Sequence, residues 1–308
     1  FTNNDTNGVN NIISGKNHNV NGSENTNISG IGHTIETSIA SLVSGQTNQE
    51  TTSNRNAIFG KSNVILNTDN SIITGNIVAS TGVKNSFVAG KTITNETGNE
   101  NIILGNTLIV KDSDYSIVTG ISNEVLNNRA SAIFGENHKV DLNSKRNLIG
   151  GLNHNNSNGQ QTTILGNQNI AKDTLNVSIF GNLNDVSGNT NNSIVSGLSN
   201  KESSGNNNLT VGKKNYALNT SQTLLLGDEN KSVNNNNNLI TGKLNDISGT
   251  NNLIMSGINN TINEVDNTLV IEKNNNIDTT LDSIVYGTGH DVSGNTSLIF
   301  TSGLNNKI

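Results

Sequence analysis

The chain has 308 residues, with 18 Lys and Arg against 24 Asp and Glu, and no Cys, Pro or Trp. Without cysteine, disulfides, thiolate metal sites and thiol redox chemistry are excluded, and a net charge of −6 leaves no basic footprint for nucleic acid or an anionic membrane. Hydrophobic residues make up only 31% and charged residues only 14%, while Asn occurs 65 times. That balance suits neither one thick core nor a highly charged disordered chain. It implies a repetitive fold with a thin core.

No apolar run approaches the roughly 20 residues that span a bilayer as a helix. Phe1 does not open a signal peptide, so an exported protein would be represented here by its mature part.

In chain order, one short phrase returns: an apolar pair, a variable residue, a glycine, then Asn or His three places on. It reads "SIVTGISN" at residues 116–123, "SIVSGLSN" at 193–200 and "SIVYGTGH" at 283–290. The glycine falls at Gly15, Gly30, Gly45, Gly60, Gly75, Gly90, Gly105, Gly120, Gly135 and Gly150, nine successive intervals of 15. It continues at Gly166, Gly181, Gly197, Gly212, Gly227, Gly242 and Gly257, is replaced by Glu272, and returns at Gly287 and Gly303. Such a period is the signature of a stacked repeat.

Each unit predicts two short strands. The first carries the paired apolar residues before the glycine, as in Ile12-Ile13, Ile72-Ile73, Ile194-Val195 and Ile284-Val285. The second centres on an apolar residue five places after it, as in Val20, Ile35, Val125, Ile247 and Val292. Asn, Ser, Gly and Asp fill the turns. Two strands and two turns in 15 residues make one coil, so the fold class is an all-β parallel β-solenoid of about 20 coils. The glycine column is expected to need positive φ or a close backbone approach. The Asn column is expected to occupy left-handed turn positions and to bond along the stack.

His18, His33, His138, His154 and His290 all fall in the Asn column, with Gly151 as the reference for His154. They are expected to be ladder members that replace turn asparagines. Asp185, Asp246 and Asp291 belong to the turn pattern too. No catalytic residue, cofactor site or metal site is assigned, and the chain is expected not to be an enzyme.

Neighbouring residues of a strand point to opposite faces. About 15 coils have both neighbours apolar, so the second face needs cover. The simplest cover is another copy of the chain, in an obligate homo-oligomer with parallel axes and cyclic symmetry.

Units such as "NSIVSGLSN" and "SAIFGENHKV" resemble the head repeats of trimeric autotransporter adhesins, the YadA-like family. Ser131-Ala132-Ile133-Phe134-Gly135 and Asn56-Ala57-Ile58-Phe59-Gly60 come nearest to that family's Ser-Val-Ala-Ile-Gly phrase. The resemblance covers roughly residues 11–306. It implies a left-handed parallel β-roll, a homotrimer, and one head domain over 1–308, displayed on a bacterial surface and anchored in the outer membrane through a stalk and barrel outside this sequence. The period of 15 against the family's usual 14, the Asn-rich turns and the Ile-rich strands depart from that pattern. The Asn-rich style is most similar to fusobacterial adhesins that bind CEACAM receptors, which implies a host cell-surface receptor protein as partner.

Three other readings compete. A β-helix carbohydrate lyase needs Asp, Arg or Lys clustered on neighbouring coils, and an ice-binding solenoid needs a Thr ladder. A structural or autoaggregating fibre is not separated from an adhesin by any residue. The receptor contact is expected where the repeat breaks. The Asn column turns apolar at Val78, Ile93 and Leu108, with Tyr115 nearby, and a charged stretch follows at Glu136, Lys139, Asp141, Lys145 and Arg146. The competing assignment turns Val78, Ile93 and Leu108 inward as core.

Overall fold

The computed structural model describes residues 2–141, 143–294 and 296–308. Among these residues there are strands, bridges and turns and no helix. The chain forms two compact units, Phe1–Ser157 and Asn158–Ile308, and each is a parallel β-solenoid. Within a unit, every coil lays its strands on the equivalent strands of the next. Leu42–Gln46 pairs in parallel with Ala57–Lys61 and sets Gly45 opposite Gly60. In the second unit, Leu224–Asp228 pairs with Leu239–Lys243 and sets Gly227 opposite Gly242.

A coil has three sides rather than two. In the coil beginning at Ala57 they are the strand Ala57–Lys61, the strand Val64–Leu66 and an isolated bridge at Asp69, which links to Asn54 and Lys84. Left-handed residues separate them: Ser62 (φ 56°), Asn67 (φ 48°) and Asn70 (φ 51°). Such positions recur in every coil, and most are not glycine. Asn is the side chain that tolerates this region best, which accounts for much of the Asn excess.

The glycine column is a true backbone requirement. Gly120 has φ 123°, and a Cβ there would run into the carbonyl oxygen of Gly135 in the next coil. Its tenth member is Gly151 rather than Gly150. Gly135 pairs with Gly151, while Gly150 lies opposite Phe134. The extra residue therefore enters earlier, in the turn after the short strand. Val125 pairs with Val140, 15 residues on, but Arg129 bridges Lys145, 16 on. The same turn absorbs the extra residues between Val186 and Thr190 and between Val292 and Thr296. At Glu272 a non-glycine holds φ 89°, and the strand pairing beside it is carried by Leu269, Val270 and Ile271.

The interior is narrow. The second residue of each apolar pair fills it, as Ile28, Val43, Ile58 and Ile73 do, all 0% exposed. The short strand contributes Val20, Ile35, Val125 and Val140 in its own coils, also fully buried. Flanking columns of buried Ser, Thr and Asn seal the turns. Ser71 Oγ donates to the Asp69 carbonyl (3.0 Å) and accepts the Ser86 N–H (3.2 Å).

The Asn column is also interior, and this corrects the turn assignment. The left-handed residue is the one before it, such as Thr47 (φ 55°) before Asn48. Asn48 is fully buried. Its Nδ2 donates to the Ser44 and Gly60 carbonyls (3.1 Å each), and its Oδ1 accepts the Asn63 N–H (3.1 Å). Asn48 thus satisfies three backbone groups that a tight corner would otherwise bury unpaired.

Candidate interaction surface

The first residue of each apolar pair points outward. Four successive coils of the first unit leave Ile72 48%, Phe87 38%, Ile102 40% and Ile117 38% exposed. The second unit repeats this at Ile194, Ile254 and Ile284. The residue just before the glycine stands on the same outward side of the strand. This is the side the paired apolar residues foretold: one neighbour makes core, and the other makes a surface stripe within a single chain.

At the phenylalanines, residue sizes on this side are matched. Phe59, Phe134 and Phe180 lie just before the glycine, and their outer-column partners two residues earlier are Ala57, Ala132 and Ser178. Where the outer column itself holds Phe87 or Phe300, the second position shrinks to Ala89 or Ser302. Solvent does not ask for matched volumes, whereas a packed surface does. Shallow grooves follow the stripe in both units. Leu42, Ala57 and Ile72 line one with Ala40, Arg55 and Asn70, and Ile254, Leu269 and Ile284 line another with Asn252, Asn267 and Asp282.

Val78, Ile93 and Leu108 are not on the surface. They are at most 1% exposed, so the expected apolar ridge for a receptor is corrected to core. In their coils the two strands fuse into Ile72–Thr81, Phe87–Glu96 and Ile102–Lys111. Val78 pairs directly with Ile93, and Ile93 with Leu108. Backbone pairing replaces the amide ladder, so the inward side chain there is free to be apolar. Tyr115 is 50% exposed, at φ 55°, with the Arg129 guanidinium 5.7 Å from its ring centroid. In the charged stretch, Lys139 approaches Asp141 at 3.7 Å.

The histidines behave as asparagine substitutes. His33 Nε2 lies 3.0 Å from the Ser29 carbonyl, and its Nδ1 accepts the Asn48 N–H at 3.1 Å. His18 stacks on His33, and His138 on His154, with ring centroids 5.0 Å apart in both pairs. A ring that accepts a backbone N–H at Nδ1 must be neutral there. Burial accordingly holds His33 and His138 below the ordinary imidazole value.

Sequence reasoning missed two buried acids. Glu50 and Glu202 replace the apolar residue of the short strand and are 0% exposed. Ser41 Oγ and Asn56 Nδ2 donate to Glu50 (2.8 and 3.0 Å), and burial pushes its carboxyl up to about 7. Asn208 Nδ2 and Thr210 Oγ1 donate to Glu202 (3.0 and 3.3 Å), and burial raises it as well. The signal was present: an acid, a small residue three places on, and Asn three further, as in Glu50-Ser53-Asn56 and Glu202-Gly205-Asn208. Both carboxyls are sealed inside the roll away from solvent, the bonds to Glu50 falling on Oε1 while Oε2 has no partner.

No protein-family model and no curated protein matches the chain. Solved structures that match include a protein described as an acetyltransferase from Desulfovibrio desulfuricans G20, at 9% identity over 73% of this chain, with a TM-score of 0.18. The chain spans 64% of that protein's length. Another is UDP-N-acetylglucosamine O-acyltransferase (LpxA) from Moraxella catarrhalis RH4, at 13% identity over 65% of this chain and 67% of that one, with a TM-score of 0.14. Scores this low carry no functional inference. The solenoid is established by this chain's own ladders.

Proposed function

We propose that the chain is a binding module, the head of a bacterial surface adhesin of the YadA-like trimeric kind, rather than a catalyst. Three copies pack their outer apolar stripes together about parallel axes. The remaining sides meet a host cell-surface protein, for which a CEACAM-family receptor is the first choice on the resemblance of the repeats. The observation that carries this reading is the half-exposed apolar stripe with its matched sizes at every described phenylalanine. Covering each half-exposed side chain contributes about 1 kcal/mol, against an association cost on the order of 10 kcal/mol. A stripe repeated coil after coil in three copies exceeds that cost.

The test has two parts. Light scattering of the purified protein should give about three times the 32.5 kDa chain mass. Flow cytometry should show binding to cultured human epithelial cells that display CEACAM receptors, and much less to cells lacking them. Self-association without binding to either cell type would support a structural fibre instead.

A further inference from the structure

A second apolar patch lies on a different side of the first unit. The outward position of its short strands is polar over most coils: Asn19, Thr34 and Gln49 precede the patch, and Glu124 and Lys139 follow it. Between them the same position reads Val64, Ala79, Thr94 and Ile109, aligned by parallel pairing. Val64 is 45% exposed, Ile109 39%, and Leu66, on the same strand as Val64, 37%.

Ile77 stands at the corner inside the strand Ile72–Thr81, 54% exposed at φ 61°. It is the only Ile or Val among the described residues in the left-handed region. A β-branched side chain is less favoured there than Asn, and the equivalent positions of the next two coils hold the polar Thr92 (φ 55°) and Thr107 (φ 56°). What distinguishes Ile77 from these is a half-exposed hydrocarbon in place of a polar side chain, which marks a contact. The three coils that hold Ala79, Thr94 and Ile109 are also the ones whose strands run unbroken through ten residues, because Val78, Ile93 and Leu108 replace the amide ladder, while Val64 lies on the separate short strand of the coil before. Two exposed cations, Lys61 and Lys91, border the patch on one paired column with Asn76. Neither joins an ion pair among the described residues.

We infer that Val64, Ile77 and Ile109 form the docking surface for a foreign protein domain, one that presents an apolar surface rimmed by carboxylates. The inference rests on the adhesin reading above and names the side that takes the receptor. A second copy of the chain is not the occupant. Copies packed along parallel axes would cover matching positions in every coil, whereas this patch ends within roughly 15–20 Å along the roll. That length suits one domain contact of about 800 Å² per partner. Lys61 and Lys91 would meet the acidic rim and speed encounter.

The test uses Ile77→Asn and Ile109→Lys in the full chain, with the epithelial cells above as the probe. Ile77→Asn should hold or raise the melting temperature, since Asn is favoured over Ile at this left-handed corner. Its binding to cells should fall about tenfold, as should that of Ile109→Lys, with the mass by light scattering unchanged. Trypsin treatment of the cells should abolish binding of the parent protein. Unchanged binding by both variants overturns the inference and leaves the adhesin reading standing. So does undiminished binding to trypsin-treated cells, which would make the partner something other than protein. A fall in mass for either variant would make the patch a self-contact, and a fall in melting temperature for Ile77→Asn would make it a packing residue. Parent protein that binds no cells overturns both readings together.

Discussion

The second unit carries an unbroken amide ladder. Asn184, Asn200, Asn215, Asn230, Asn245, Asn260 and Asn275 each give their N–H to the side chain of the coil before, and His290 continues the series. In the middle of the first unit the ladder stops. Asn63 Oδ1 still accepts the Val78 N–H at 3.0 Å, and Val78, Ile93 and Leu108 then pair by backbone alone. One corner of one repeat is therefore built in two ways. The first uses a buried amide to satisfy a tight turn. The second carries the strand pairing across the turn and buries a hydrocarbon. The glycine column, the left-handed residue before the corner and the outer stripe are common to both.

The common element gives the largest expected effect. Gly120→Val places a branched side chain at φ 123° against the carbonyl of Gly135, and should cost more than about 4 kcal/mol. Gly22→Asn is the control. Gly22 has φ 59°, and the nearest atom to a Cβ there is Thr37 Cγ2 at 3.9 Å, so stability should stay within about 0.5 kcal/mol. Chemical denaturation measures both, and similar losses would mean the column is not a backbone requirement.

Exchanging the two corner designs should come next in size. Asn215→Leu removes the donor to the Gly227 and Val211 carbonyls (2.6 and 3.2 Å) and the acceptor of the Asn230 N–H, for a loss of about 3 kcal/mol. Ile93→Asn restores the common residue but buries an amide between Val78 and Leu108, where backbone pairing has already taken the polar groups. It should also cost about 2–3 kcal/mol. If Ile93→Asn instead stabilises the protein, the two designs are interchangeable one coil at a time.

The smallest expected effects follow pH, and they act in the first unit from opposite directions. Glu50 keeps its proton in the fold, so its contribution is complete below the ordinary carboxyl value of 4.5 and is lost as pH rises through about 7. His33 and His138 are held neutral, so their contribution is complete above 6.5 and is lost as pH falls through their lowered values. Thermal melts of Glu50→Gln should lose the decline on the alkaline side, and those of His33→Asn part of the decline on the acid side. Unchanged profiles would mean these groups titrate alike in folded and unfolded chains.

The architecture was legible because period and polarity act together. Ile12-Ile13 and its equivalents state that one strand face is inside and the other is apolar outside. The histidines were legible for the same reason, since position in the column fixed their partners. What was not legible turns on burial. Asn48 in a turn and Asn48 inside a corner read the same, because the left-handed residue lies one place earlier, at Thr47. Val78, Ile93 and Leu108 looked like an exposed ridge only because the column they interrupt was taken as exposed. The doublet Gly150-Gly151 hid the true interval, which only strand register decides. Glu50 and Glu202 sit where aliphatic residues usually do, and a carboxylate is placed there only with its Ser and Asn donors in view. Ile77 looked like an ordinary residue between Asn76 and Val78 until its exposure at a left-handed corner set it apart.

Everything on the outer side depends on whether copies of the chain cover the apolar stripe. Sedimentation equilibrium of the full chain at micromolar concentration decides it, read beside the same measurement on Phe87→Asp. A parent mass of about three times 32.5 kDa, falling toward the single-chain value in the variant, is the expected result. A parent protein that is folded, monodisperse and of single-chain mass would contradict it.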